Sequence, residues 1–194
     1  MLKTVQWQRD YAVPGYIEMQ YDPGPWKDYA TAFMKEQRLL INPLLPLMAW
    51  RLAALVRENP KLNATIAGDD LHVYEHVNLG FTVQSGQSLY LAVLQAAEDL
   101  DAVEFVRKLG ELQRRAVARQ LRPDQTRDAT LSFSSMARWP VSRHIPVLPP
   151  FNSLIVAHAA PPGGPAVLGA TYDHRVLSGF DVVAALDLLA KPPA

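Results

Sequence analysis

Thr171-Tyr172-Asp173-His174-Arg175-Val176-Leu177-Ser178-Gly179 is the stretch on which the reading of this chain turns. A β-prone run, Val167 to Tyr172, ends on the charged triplet Asp173-His174-Arg175. Ser178-Gly179 then turns the chain into an apolar periodic segment, Phe180 to Leu189. A strand followed by a turn and a helix can hold a histidine rigidly and still let it reach a cavity. Histidine is also the side chain best suited to exchange a proton near neutral pH. The stretch therefore reads as chemistry set on a scaffold.

Working back from it, Pro161-Pro162-Gly163-Gly164-Pro165 is a turn, Asn152 to Ala159 a strand, Met136 to Pro150 a proline-bearing loop and Thr130 to Ser135 an alternating strand. Ala102 to Arg119 carries Ala102, Phe105, Val106, Leu109, Leu112 and Ala116 at helical spacing. Its basic residues, Arg107, Lys108, Arg114, Arg115 and Arg119, read as a solvated face; a contact to coenzyme phosphate is the alternative. Strands are expected at Leu79 to Gln84 and Leu89 to Leu94, and a hairpin over 63–74 turns at Gly68-Asp69-Asp70. Helices are expected over Trp26 to Arg38 and from an Asn42 cap to Val56, with Pro43 and Pro46 in its first turns. Residues 1–20 mix aromatics and charges, with a turn expected at Pro14-Gly15 and a first strand at Tyr16 to Tyr21. Helices mixed with neighbouring strands argue an α+β fold with a mixed or antiparallel sheet, in a single domain over 1–194.

The 194 residues are 49% hydrophobic and 20% charged, a globular composition. Lys+Arg and Asp+Glu both number 19, which removes the usual electrostatic reason to expect nucleic acid or an anionic membrane as partner. The absence of cysteine excludes disulfides, thiolate metal sites and a cysteine nucleophile. Met1 to Trp7 lacks a signal-peptide core, and the apolar region Leu39 to Val56 is broken by Asn42, Pro43, Pro46 and Arg51. A cytoplasmic protein is the expectation. His72 and His76, placed on one extended strand, would stand about 13 Å apart, too far to share a metal ion, and no metal is expected. His144 and His158 have no supporting context and read as ordinary.

The residues and the order of elements together resemble the catalytic domain of the dihydrolipoamide acyltransferases of 2-oxoacid dehydrogenase complexes, which shares its fold with chloramphenicol acetyltransferase. The resemblance runs from about Tyr16 to Leu189. It rests on Asn59 to Ile66, Asn78 to Val83, Thr130 to Ser135, Pro149-Pro150 and, above all, Tyr172 to Gly179.

The resemblance implies acetyl-CoA as co-substrate, direct transfer without an acyl-enzyme, and a homotrimer in which one protomer supplies the base and its neighbour the serine. His174 falls on the general base and Ser134 on the oxyanion-binding hydroxyl. Ser132 and Ser135 are the other serine candidates, and spacing to the histidine in the family favours Ser134. Asp173, Arg175, Ser178 and Gly179 then support the site. Ser178 stands where the family has Asp or Asn, which weakens orientation of the base. The loop after Ser135 lacks the family's glycines, which implies a reshaped acceptor side. No lipoyl or subunit-binding domain is recognisable, so a stand-alone acetyltransferase is expected. Its acceptor would be a hydroxyl on a small molecule, as in tetronate-type polyketide antibiotic biosynthesis. Transfer to a dihydrolipoyl thiol on another chain is the alternative, and a non-catalytic scaffold the third reading.

Overall fold

The computed structural model describes residues 2–193. Strand β1 (Pro14–Tyr21) follows a short helix, α1 (Leu2–Tyr11), and leads into α2 (Gly24–Glu36) and the apolar α3 (Leu44–Leu55). The hairpin β2 (Ala64–Ala67) and β3 (Asp70–Val73) stands apart from the main sheet. Strands β4 (Leu79–Ser85) and β5 (Ser88–Leu94) form a second hairpin, followed by α4 (Ala102–Val117). The chain closes with β6 (Leu131–Ser135), β7 (Leu154–Ala159), β8 (Ala166–Asp173) and α5 (Gly179–Leu189).

Six strands pair in the order β1-β8-β7-β6-β4-β5. The pairings of β6 with β4 and β7 are parallel and the other three antiparallel, so the sheet is mixed, as expected. Its side chains divide by parity, because successive residues of a strand point to opposite faces. Leu79, Phe81, Leu131, Phe133, Leu154, Val156, Leu168 and Ala170 join the core that the helices cover. Ser132, Ser134, Ala157, Gly169 and Thr171 have the opposite parity, and the backbone of the 136–150 loop reaches that face through Thr171 Oγ1, which donates to Pro146 O at 2.7 Å. The active-site serine candidate thus lies on the face that the loop covers.

Local chemistry accounts for the helices. Asp101 caps α4 by accepting from Glu104 N at 2.8 Å, and Phe105, Val106, Leu109, Leu112 and Ala116 form its buried stripe. Along the exposed side Lys108 pairs with Glu104 and Arg115 with Glu111, one turn apart. The Asn42 side chain accepts from Leu44 N at 3.0 Å at the start of α3, although Pro43 occupies the cap position itself. No helix among the described residues is long and apolar enough to cross a membrane.

Two local readings are corrected. Pro14 and Gly15, which follow the helix over residues 2–11, open β1 instead of forming a turn. The cause is remote: β1 pairs antiparallel with β8 from Pro14↔Asp173 to Tyr21↔Ala166, and a first-position proline is tolerated on an edge strand. Gly15 lies beneath the Tyr172 ring, where a Cβ would approach Cζ to 2.5 Å. The second correction is that β3 ends at Val73, so His72 and His76 do not share a strand. His76 instead approaches Glu98, 3.0 Å from its Nδ1.

Candidate active site

The end of β8 is fixed by one buried carboxylate. Asp173, 1% exposed, accepts from Val13 N at 3.3 Å, Arg175 N at 3.0 Å and the Arg175 guanidinium at 2.6 Å. That hydrogen-bonded pair holds the Arg175 guanidinium above its ordinary pKa. The Asp173 carbonyl accepts from Val176 N and Leu177 N, which makes the turn that carries the chain away from the sheet. His174 sits in this turn with its backbone N donating to Val13 O at 2.8 Å. Its ring packs against Tyr172, centroids 5.3 Å apart, and is exposed, with no hydrogen-bond partner among the described residues. Asp173 and Arg175 therefore shape the backbone that presents His174.

Ser178 does something other than orient that ring. It is the N-cap of α5: its Oγ donates to Asp181 Oδ2 at 2.6 Å, and its N donates to the same oxygen at 2.9 Å. The Asp181 carboxyl is held below its ordinary pKa, first by the Ser178 side chain. Asn59 Nδ2 donates to Asp181 Oδ1 at 3.1 Å, tying the 59–66 segment to the motif. Gly179 is the first residue of α5.

Ser134 lies at the other end of the sheet's chemistry. It is 8% exposed and lines a cleft of about 1930 Å³ together with Thr82, His144 and Ile155. Thr82 Oγ1 donates to Ser134 Oγ at 3.1 Å, and His144 Nε2 lies 3.3 Å from the same oxygen. The other two serines are already committed. Ser132 donates to the buried Asn152 Oδ1 at 2.6 Å, and Ser135 lies 3.0 Å from His158 Nδ1. Arg107, Arg114, Arg127 and Arg138 line the same cleft.

Strand register measures how far apart the two proposed partners are. Ser134 aligns with Ala157 of β7, and Ala157 with Gly169 of β8; His174 lies five residues past Gly169. Two strand spacings and five residues of rise separate their Cα atoms by about 19 Å. His174 does not line the Ser134 cleft of its own chain. One chain therefore does not bring the histidine and the serine together.

Sequence reading passed over two histidines that the fold places beside serines. His158, 1% exposed, is flanked by Ser135 and by the Tyr21 hydroxyl, 2.7 Å from its Nε2, and burial pushes its pKa down to about 4. His144 faces Ser134, and burial lowers its pKa as well. No local signal marks either one, because the partners come from other strands.

Residues 27–191 match the family model described as 2-oxoacid dehydrogenases acyltransferase (catalytic domain). Among curated proteins, the chain is 29% identical over 161 residues to dihydrolipoyllysine-residue acetyltransferase component 5 of the chloroplastic pyruvate dehydrogenase complex of Arabidopsis thaliana. That match covers 75% of this chain and 34% of the relative, so the chain spans about a third of the relative's length. The solved structure of Azotobacter vinelandii dihydrolipoamide acetyltransferase is similar with a TM-score of 0.86 at 18% identity, covering 97% of this chain and 84% of that one. That work concerns a serine, a histidine and, four residues beyond the histidine, an asparagine in the catalytic mechanism of the Azotobacter enzyme. A chloramphenicol acetyltransferase structure matches with a TM-score of 0.58 at 9% identity, covering 97% of this chain and 92% of that one. The architecture is thus the chloramphenicol acetyltransferase-like α+β fold.

Proposed function

Because the chain belongs to the 2-oxoacid dehydrogenase acyltransferase catalytic-domain family, we propose that it exchanges an acyl group between coenzyme A and a dihydrolipoyl thiol, at sites completed between two copies of the chain. The observation that carries the shared site is the separation of about 19 Å between His174 and Ser134 within one chain. A base that is exposed in its own protomer, and a serine at a cleft that base does not line, fit a pair supplied by neighbours in a ring such as a trimer.

In the transfer, neutral His174 removes the proton from the attacking dihydrolipoyl thiol, and the sulfur adds to the thioester carbon of acetyl-CoA. The carbonyl oxygen becomes an oxyanion that Ser134 Oγ–H stabilises. The tetrahedral species collapses by expelling the coenzyme thiolate, which takes the proton back from the His174 imidazolium. One thioester breaks and one forms, so no metal or redox group is required. General-base assistance of this kind is worth ~10²–10⁴ in rate, and an oxyanion donor ~10²–10³. Arg107 and Arg114 on the cleft wall are cations available to the coenzyme's phosphates.

The dihydrolipoyl thiol displaces the small-molecule hydroxyl expected from the sequence. The Arabidopsis and Azotobacter relatives are dihydrolipoyl acetyltransferases by name, while chloramphenicol acetyltransferase, at 9% identity, shares the fold alone. Where the Azotobacter enzyme has its asparagine four residues after the histidine, this chain has Ser178, spent on Asp181. Orientation of His174 therefore falls to its backbone bond to Val13 and to the Tyr172 ring.

Mixing tests the shared site. His174→Ala and Ser134→Ala chains should each be poor enzymes alone. Co-expressed equally with random assembly, about one quarter of the interfaces join an intact His174 to an intact Ser134, and activity should recover toward that fraction. No gain in verified mixed oligomers would place both residues' action within one chain.

A further inference from the structure

The loop over 136–150 brings a second histidine to the reaction centre. His144 Nε2 lies 3.3 Å from Ser134 Oγ, and Thr82 Oγ1 donates to that oxygen from the neighbouring strand at 3.1 Å. His144 is held by ties on either side. Its carbonyl lies 3.2 Å from Tyr16 OH, whose single proton is shared with the nearer Glu18 Oε2 at 2.9 Å; Arg143 pairs with Glu18 at 3.0 Å, and Pro146 O accepts from Thr171 Oγ1 at 2.7 Å. The Tyr16 hydroxyl itself lies over Gly169, where a Cβ would collide with it.

The other ring nitrogen decides what His144 can do. His144 Nδ1 is buried without a hydrogen-bond partner. In a Ser–His pair that makes a nucleophile, the imidazole takes the serine proton, and a group on the far nitrogen supports the imidazolium. Here an imidazolium would leave a charged N–H buried and unpaired, which is strongly disfavoured. Burial already lowers the pKa of this ring, in the same direction. A neutral ring protonated on Nδ1 would bury an unpaired donor; one protonated on Nε2 leaves an unpaired acceptor and places its N–H on Ser134.

We propose that His144 is a positioning residue for the acyl transfer: as the Nε2–H tautomer it donates to Ser134 Oγ, so that together with Thr82 it fills both lone pairs of that hydroxyl. A serine hydroxyl has one donor and two acceptor positions. With both acceptor positions occupied, its own proton is directed into the cleft, toward the oxyanion, and two donors polarise it. His144 thus aligns the donor that the proposed function assigns to Ser134, and the inference rests on that assignment.

Two arms test it, one of them independent of turnover. Histidine-selective ¹⁵N NMR of the wild-type protein should show His144 as the neutral Nε2–H tautomer at pH 7; an Nδ1–H tautomer or an imidazolium would overturn the proposal even in an inactive protein. In acyl transfer from acetyl-CoA to dihydrolipoamide, His144→Phe should lower kcat roughly 10-fold with little change in KM, as expected for one lost hydrogen bond. His144→Gln, whose amide can still donate to Ser134, should recover most of that loss. In a Ser134→Ala background His144→Phe should cost nothing further. An equal loss in that background, a failure of Gln to recover, or acetylation of Ser134 by acetyl-CoA alone would each contradict it. Absence of transfer in the wild type, with the tautomer as stated, would instead remove the acyl-transfer reading.

Discussion

His158 should make this protein acid-labile over a defined range. Its imidazole is 1% exposed, between Tyr21 OH and Ser135 Oγ, and its pKa falls from 6.5 to about 4, through burial first and the nearby His144 second. The folded state therefore binds the proton more weakly than the unfolded chain does. The stability this contributes is fully present above pH 6.5 and is lost as pH falls toward 4. Integrating between pH 7 and 4.5 gives a loss of about 2 kcal/mol from this residue alone. The range is chosen because Glu18 and Asp181, whose carboxyls are held low, lose their contributions below it. His144, also lowered, adds in the same direction. Urea unfolding followed by fluorescence of the four tryptophans, at fixed protein concentration, measures the slope. His158→Gln keeps a donor and an acceptor but cannot titrate, so its stability should fall by about 2 kcal/mol less over the same range. Equal slopes in the two proteins, or an NMR titration of His158 near 6.5, would refute the reasoning.

Other outcomes follow from the same geometry. His174→Ala should lower kcat by ~10²–10⁴ while leaving the unfolding midpoint close to wild type, because its exposed ring supports no buried contact network. Ser178→Ala should cost about 1 kcal/mol through loss of the α5 cap, and Ser178→Thr, which keeps the hydroxyl that caps the helix and donates to Asp181, much less, both read from thermal or urea unfolding. Asp173→Ala should destabilise by about 3 kcal/mol or more, since it strips Val13 N and the Arg175 guanidinium of their acceptor at a buried position.

The sequence carried the β8–α5 region well because its determinants are local. A β-prone run, a charged triplet and a capped apolar helix all lie within Val167 to Leu189, and they emerge as β8, its turn and α5. Ser178 with Asp181 three residues later was legible too as a helix-start signature, though the family pattern drew the reading toward the histidine. What stayed hidden was set by distant pairing. Helix α1 buries no residue and has no strong apolar stripe to announce it, and Pro14-Gly15 becomes strand only through β8. His158 acquires its environment from Tyr21, 137 residues away, and His144 meets Ser134 only because the loop is tied back to β1 and β8. Nor could spacing along the chain reveal that His174 and Ser134 stand apart in one protomer; sheet register does.

The most direct test is turnover itself. Purified protein is incubated with acetyl-CoA and free dihydrolipoamide, and released coenzyme A is separated from S-acetyl-dihydrolipoamide by chromatography, since the acceptor carries thiols of its own and transfer leaves the number of free thiols unchanged. Wild type should form the two products in equal amounts, and His174→Ala should form them at least ~10²-fold more slowly with its fold intact. Stoichiometric transfer by the folded His174→Ala protein at the wild-type rate, or none by wild type at saturating substrates, would contradict the assignment.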